Sequence, residues 1–250
     1  PASVFLADER VFCHLGILKV AAVLERDGFV VDVLDLSGIE NYVEAVQEYL
    51  EVEKPTAIGF TTTTPQLPAV STIIKAIRSA YPDLRIILGG PHCTLINAAV
   101  KYERKIAETG RAHAAMRKLE QLVDVIVAGD GEEAIRIALS HQPPQLVDAD
   151  DPASSLWLTN QKLSESPLHA RHLIDLHSYH YMIDRVPATS LIMQLGCPMS
   201  CNFCGGRLSP AFRRIRTRSI EGVLTEIREL HTRYGFRGFV FYDDELNVNP

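Results

Sequence analysis

The sequence predicts an α/β fold, with a doubly wound parallel sheet in the first half and the start of a second strand-helix-strand body near the C-terminus. Three observations carry this. Short apolar runs alternate with helical patterns as far as GEEAIRIAL; a Pro- and Asp-rich break, HQPPQLVDADDPASS, follows; and a further strand, helix and strand pattern closes the sequence.

Taken in order, SVFLAD predicts a first strand, LGILKVAAVLERDG a helix and VVDVLDL a second strand. NYVEAVQEYLEVEKP reads as a helix, AIGFTTTT as the third strand, VSTIIKAIRSAYP as a helix and RIILGG as the fourth strand. Ala98 to Leu122, rich in Lys, Arg, Glu and Ala, is expected as a helix with a solvated face, inserted before the fifth strand, VDVIVAG, and its helix, GEEAIRIAL. The prolines of the break cannot continue a helix, which places a boundary near Ser140 to Asp151. The expected partition is residues 1–145, a bridging segment 146–187, and a second domain beginning within 188–250.

With 250 residues, 46% of them hydrophobic, the chain can build sizeable cores. A net charge of -6 supplies no overall basic field for nucleic acid or an anionic membrane, so neither is an expected partner. No run has the length of a membrane-spanning helix, and the first residues lack a charged-then-apolar leader pattern. Five cysteines, three of them clustered, fit a reducing compartment where thiolates hold metal, and a cytoplasmic location is expected.

Ligands of open parallel sheets sit beyond the carboxyl ends of the strands. Here those ends carry FTTTTPQ, GGPHC and AGDGEE. The run from Gly129 to Ala134 formally fits a dinucleotide fingerprint, with Asp148 and Asp150 as approximate ribose partners. It follows the fifth strand where the fingerprint belongs after the first, and its acidic pair repels phosphate.

Cys197, Cys201 and Cys204, in GCPMSCNFCGGR, have the CxxxCxxC spacing that suits an iron-sulfur cluster with one iron left open. Structural zinc needs a fourth ligand, and the nearest histidines, His180 and His231, lack finger-like spacing. Cys13 and Cys93 are expected to be small buried residues. Arg207, Arg213, Arg214, Arg216 and Arg218 form a local basic run. It is read as pairing with Glu221, Glu226 and Glu229 or with an anionic substrate, since no aromatic interleaving supports nucleic-acid stacking.

The stretch SLIMQLGCPMSCNFCGGR with RTRSIEGVLTEIRELHTRYGFRGFVFYDDELNVNP resembles the opening of the radical S-adenosylmethionine (SAM) enzymes. The resemblance implies a first strand of a partial TIM-type (βα)6 barrel at about Ser190 to Gln194, a helix from Ser219 to Tyr234 and a second strand from Gly238 to Tyr242. It also implies a 4Fe-4S cluster on the three cysteines that binds and reductively cleaves SAM, Phe203 in the aromatic slot, and Asp243 and Asp244 where SAM is contacted. An external electron donor of flavodoxin or ferredoxin type would reduce the cluster. A barrel needs about six such units and left open exposes strand edges, so the sequence is expected to continue in a longer polypeptide.

FTTTTPQ, ILGGPHCTL and VDVIVAGDGEEAI together resemble the Rossmann-like cobalamin-binding domain that precedes the barrel in one subgroup of that family. By that resemblance Thr61, Thr62, Thr63, Thr64 and Gln66, then Gly89, Gly90, Pro91 and His92, then Gly129, Asp130, Gly131 and Glu132 face the corrin and its nucleotide tail. The DxHxxG motif of cobalamin domains with a histidine under cobalt is missing: LADERVFCHLGIL places Asp8 and His14 at the wrong separation. PLHARHLIDLHSY resembles the subgroup's bridging segment, and its scattered histidines do not suggest a metal.

These likenesses imply a cobalamin-dependent radical SAM enzyme, a C-methyltransferase on a small molecule. The alternatives are a cobalamin-containing radical cyclase, oxidase or rearrangement enzyme, a non-catalytic cobalamin- or redox-sensing protein, and a first domain that has lost cobalamin and serves for docking.

Overall fold

The computed structural model describes residues 10–246, and the expected first strand, SVFLAD, lies outside them. The chain divides into two compact units: one of Asn41–Leu158 with Met199–Arg213, the other of the described part of Pro1–Glu40 with Thr159–Pro198 and the described part of Arg214–Pro250. In chain order, the second of these begins with α1 (Leu15–Arg26) and the first with α2 (Tyr42–Glu53).

The unit of residues 41–158 is built on four parallel strands, β1 (Ala57–Thr61), β2 (Arg85–Gly89), β3 (Val125–Ala128) and β4 (Leu146–Asp148), in the order 1-2-3-4. The register runs from Ala57 opposite Arg85 to Thr61 opposite Gly89, and from Ile126 opposite Leu146 to Ala128 opposite Asp148. Ile86, Ile87 and Leu88 of β2 and all of β3 are buried, the continuous apolar run required of a parallel strand covered on both faces. Between β1 and β2 runs α3 (Leu67–Ala80), which buries Val70, Ile73, Ile74 and Ile77, the i, i+3, i+4, i+7 stripe of an amphipathic helix. Between β2 and β3 run α4 (Pro91–Lys105) and α5 (Arg111–Leu122), and α6 (Gly131–Ala138) follows β3.

Three expectations are corrected here. VVDVLDL, expected as the second strand, forms no strand; Val30 is 99% exposed, so an apolar run alone did not find a partner edge. Leu146–Asp148, read as part of a linker, is the fourth strand, because three residues suffice for an edge strand beside β3. The single solvated helix expected over Ala98–Leu122 is parts of two helices, and α5 buries Ala112, Met116 and Leu119. Glu103 turns the chain between them, its carboxylate accepting the N–H groups of Gly110, Ala112 and His113 at 2.9–3.1 Å. The four described strands run sequentially, so the order reversal of a doubly wound sheet does not occur among them.

In the other unit, α7 (Asn160–Glu165) is followed by β5 (Met182–Ile183), β6 (Val186–Leu191) and β7 (Gln194–Leu195). A short helix, α8 (Pro210–Arg213), belongs to the first unit; β8 (Arg216–Thr217), α9 (Ile220–Tyr234) and β9 (Gly238–Phe241) return to the second. β6 pairs in parallel with β9, from Ala188 opposite Gly238 to Leu191 opposite Phe241, and α9 connects them. Gly238 is required there, since a Cβ would lie 2.7 Å from that of Ala188. Ser219 caps α9 by accepting the Gly222 N–H at 3.2 Å, and Gly235, at φ +75°, ends it. The expected strand-helix-strand order is present, with the first strand starting four residues earlier than expected; among the described residues a closed barrel is not displayed. Cys13, Leu15, Leu18, Leu176, Tyr179, Leu191, Leu230 and Phe236 form the core of this unit.

Candidate functional site

All four parallel strands end on one edge, and their following turns are joined by short polar contacts. At the first turn, the Thr62 N–H donates to the Gly89 carbonyl at 3.1 Å and the His92 N–H donates to the Thr62 carbonyl at 3.0 Å. Gly90, at φ +94°, seats these turns together: a Cβ would come within 2.6 Å of Thr61 Oγ1 and 2.7 Å of the Thr62 nitrogen. Gln66 Oε1 accepts from the Thr63 N–H and hydroxyl, both at 2.9 Å, which closes a capping box on the turn at Thr64–Gln66. Thr64 and Gln66 stay exposed and Thr62 is buried.

His92 and Thr64 are hydrogen-bonded, Nδ1 to Oγ1, at 3.0 Å, and burial pushes the imidazole pKa below its ordinary value. His92 is therefore a neutral, fixed side chain that ties the first two turns. Thr94 connects the second turn to the third: its hydroxyl donates to the Gly90 carbonyl at 3.1 Å and accepts the Gly129 N–H at 2.9 Å. Gly129, at φ +89°, lies against the fourth strand end, where a Cβ would be 2.5 Å from the Ala149 carbonyl carbon and the Asp150 nitrogen. Asp130 stands at the N-cap of α6 with Glu132 and Glu133 in its first turn, acids placed favourably for the helix dipole and unfavourably for a phosphate.

The fourth strand end was not anticipated as part of this edge. Asp148 accepts from Asn97 Nδ2 at 3.0 Å and pairs with Lys101 at 2.7 Å, while Lys101 also donates to the Asp150 carbonyl at 2.8 Å. Asp150 is fully buried; its Oδ1 accepts the Ser209 hydroxyl at 2.7 Å and the Ala211 N–H at 2.8 Å. Burial raises its pKa above the ordinary carboxylate value. Thr94, Asn97 and Lys101 recur along one side of α4 beneath the strand ends, a three- and four-residue polar spacing that would have been the signal for them.

Of the cysteines, Cys201 is exposed and Cys204 half-buried in the segment Met199–Arg213, and Phe203 is 92% exposed. Cys197 is half-buried and belongs to the other unit. Three thiols with no fourth suit an open-iron cluster by donor chemistry. Among the described residues, however, no group of three or more His, Cys, Asp or Glu side chains is gathered as a metal site, so the structure does not display ligand geometry. Cys13 and Cys93 are buried as expected, and burial pushes the Cys93 thiol up to about 12. His14 is exposed ahead of α1, and Asp8 lies outside the described residues.

In the second unit a charged network lies under the strand that leads to the cysteines. Glu226 Oε1 is 2.8 Å from His169 Nδ1 and 3.2 Å from Arg171 Nη2, and its Oε2 is 2.6 Å from Arg218 Nη1. Arg171 also donates to the Ser190 carbonyl at 2.6 Å and Thr189 Oγ1 at 3.2 Å on β6. Burial alone would raise the Glu226 carboxyl, but His169 and the two arginines outweigh it and hold the group well below the carboxylate range. The basic run thus includes a structural cation in Arg218, and Arg216 is buried too. Of the bridging histidines, His169 serves Glu226, His172 pairs with Glu25 at 2.8 Å and His177 stacks on Phe236. Arg171 was missed from sequence; its place inside ARHLIDL, between two bonded histidines, was the available sign.

Asp243 accepts the backbone N–H groups of Met193, at 3.1 Å, and Gln194, which fastens it to the turn between β6 and β7; burial raises its pKa. Asp244 is exposed beside it. No helix among the described residues is long and apolar enough to cross a membrane.

With this geometry in hand, comparison with known proteins gives three findings. The chain is 24% identical over 235 residues to an uncharacterized methyltransferase of Pyrococcus horikoshii, covering 94% of this chain and 49% of that protein. It is 26% identical over 202 residues to the anaerobic magnesium-protoporphyrin IX monomethyl ester cyclase of Synechocystis, covering 77% of this chain and 37% of that protein. The chain thus spans half or less of the length of these curated relatives. Residues 9–139, which include all three expected turns of the strand-end edge, match the model of the B12 binding domain. The chain belongs to the B12-binding domain family.

Proposed function

We propose that this chain is the cobalamin-binding and cluster-bearing part of a radical SAM enzyme that methylates carbon on a small molecule. The observation that carries the reading is a B12 binding domain match over residues 9–139 in the same chain as the CxxxCxxC run at Cys197, Cys201 and Cys204. The likeness to a protein named a methyltransferase over 94% of this chain supports methyl transfer. The likeness to a protein named a cyclase supports the second reading, in which radical chemistry proceeds without it.

On this reading the chain is partitioned into a cobalamin domain at 1–145, a bridging segment at 146–187 and the start of a barrel at 188–250. When bound, the corrin would carry a methyl group and the cluster would supply an electron for SAM cleavage. The protein's own part is binding and orientation. Gly90 and Gly129, which cannot carry a Cβ without colliding with the neighbouring strand ends, let the turns lie against one another and form the surface on which the corrin or its nucleotide tail would rest. Thr63, Thr64 and Gln66 offer polar groups to that tail, and neutral His92 presents a packing surface, being held by Thr64. The three cysteines would supply thiolates to the cluster, and Phe203, Asp243 and Asp244 are the side chains that the family resemblance assigns to SAM. The partners are a small-molecule substrate and a flavodoxin- or ferredoxin-like donor, in the cytoplasm, with no nucleic acid or membrane surface.

The test is cobalt and iron content per chain after anaerobic purification and reconstitution with hydroxocobalamin, iron and sulfide. About four irons and one cobalt per chain supports the reading. Iron without cobalt overturns the cobalamin half, and a single zinc with no cluster overturns the radical SAM half.

A further inference from the structure

The segment after the cysteine run belongs to the same unit as the four-stranded sheet. Its attachment is specific. Asp150, two residues past β4, is fully buried and turns Oδ1 toward this segment, accepting the Ser209 hydroxyl at 2.7 Å and the Ala211 N–H at 2.8 Å. Ser209 is itself fully buried, and Phe212 and Ser209 close a turn through the Phe212 N–H and Ser209 carbonyl at 3.2 Å. Gly205, adjacent to Cys204, sits against Leu95 of α4. Asp150 is equally fixed on its other side. Its N–H donates to Asp148 Oδ1 at 3.0 Å, its carbonyl accepts from Lys101 at 2.8 Å, and its peptide fills the space that a side chain at position 129 would need.

We propose that Asp150 is a positioning residue, a latch that couples the order of the Cys201–Cys204 loop to occupancy of the strand-end edge. A ligand seated on that edge presses on the turn at Gly129–Glu132. That turn abuts the Ala149–Asp150 peptide, and the Asp150 carboxyl holds Ser209 and Ala211. A group that orders one side must order the other, and the coupling is reciprocal. A charge-assisted pair of hydrogen bonds with no water access is strong enough to transmit this. The proposal rests on the cobalamin reading for the ligand it names, and on geometry alone for the latch.

The experiment uses the full chain, metal-free and reduced, as wild type, Asp150→Ala, Asp150→Asn and Ser209→Ala. Amide hydrogen exchange over residues 205–213 and the alkylation rate of Cys204 are followed with and without hydroxocobalamin, with the rate for free cysteine as the reference. The latch predicts that Asp150→Ala raises exchange at Ala211 and alkylation of Cys204 about tenfold, the size of losing a hydrogen bond to a charged group. Asp150→Asn, which keeps an accepting oxygen without the charge, and Ser209→Ala, which severs one of the two contacts, both fall between wild type and Asp150→Ala. Ser209→Ala severs one contact without touching the sheet, so it decides the matter where Asp150→Ala folds poorly. Hydroxocobalamin slows exchange at Ala211 in wild type and not in Asp150→Ala. Unchanged exchange and alkylation in both alanine variants overturns the latch, and corrin binding without protection of residues 205–213 overturns the coupling. Failure of hydroxocobalamin to bind wild type overturns the cobalamin reading and with it the coupling, while the ligand-free comparison still decides the latch.

Discussion

Replacing Glu226 with alanine removes the single carboxylate between Arg171 and Arg218, whose side chains are 3% and 4% exposed. Each guanidinium keeps backbone acceptors, Ser190 for Arg171 and Ile192 for Arg218, but neither keeps a counter-charge. Breaking a buried ion pair from one side costs about 3–5 kcal/mol, because the partner stays desolvated and unpaired. For a chain of this length each kcal/mol lowers the melting temperature by about 2–4 °C, so the variant should melt about 6–20 °C below wild type. The assay is thermal unfolding followed by circular dichroism at pH 7 on the metal-free chain. A second variant separates charge from shape. Arg171→Met, Arg218→Met and Glu226→Leu combined fill similar volume without charge and should recover at least half of the loss, since apolar replacement of a buried ionic cluster is often close to neutral. A melting temperature for Glu226→Ala within about 1 °C of wild type would refute the claim that this network is buried and mutually compensated.

The same network sets an acid limit. Glu226 is held below its ordinary value of 4.5, so its contribution to stability is complete above that pH and is lost as pH falls toward the lower folded value. Urea midpoints measured from pH 6 to pH 3 should drop more steeply for wild type than for Glu226→Gln, and parallel curves would contradict this. Gly90→Ala should destabilise by about 1–3 kcal/mol through its positive φ and its contact with Thr62, whereas Gly59→Ala, with nothing within 4 Å, should be neutral or stabilising by about 0.4–1 kcal/mol; paired denaturant melts would show equal costs if the crowding at Gly90 is wrong. In the native metal-free chain, iodoacetamide should label Cys201 first and leave Cys13 and Cys93 unlabelled until unfolding, as mass spectrometry of timed quenches would show; early labelling of Cys93 would be inconsistent with its burial and raised pKa.

Much of the fold was legible because local patterns agreed with tertiary need. The stripe Val70, Ile73, Ile74, Ile77 made α3, Ser219 and Gly235 bounded α9, and continuous apolar runs made β2 and β3. VVDVLDL misled because a strand exists only with a neighbour to pair, and Leu146–Asp148 was overlooked because three residues carry too little pattern to outweigh the prolines before them. The turns at Thr62, Gly90 and Gly129 were legible because glycine marks backbone that must approach closely.

The sequence by itself determined the α/β class, the three strand-end turns, the B12 binding domain identity and the presence of three clustered thiols, since each depends on residues near one another in the chain. Only the tertiary structure decided that Thr94 and Asp150 tie separate turns together, that Asp243 holds the turn between β6 and β7, and that His169 and Arg171 join Arg218 on Glu226, a pairing the basic run had offered as one of three. Those assignments pair polar groups far apart in the chain. Burial makes each partner obligatory, and nothing local to either residue reveals which partner that will be.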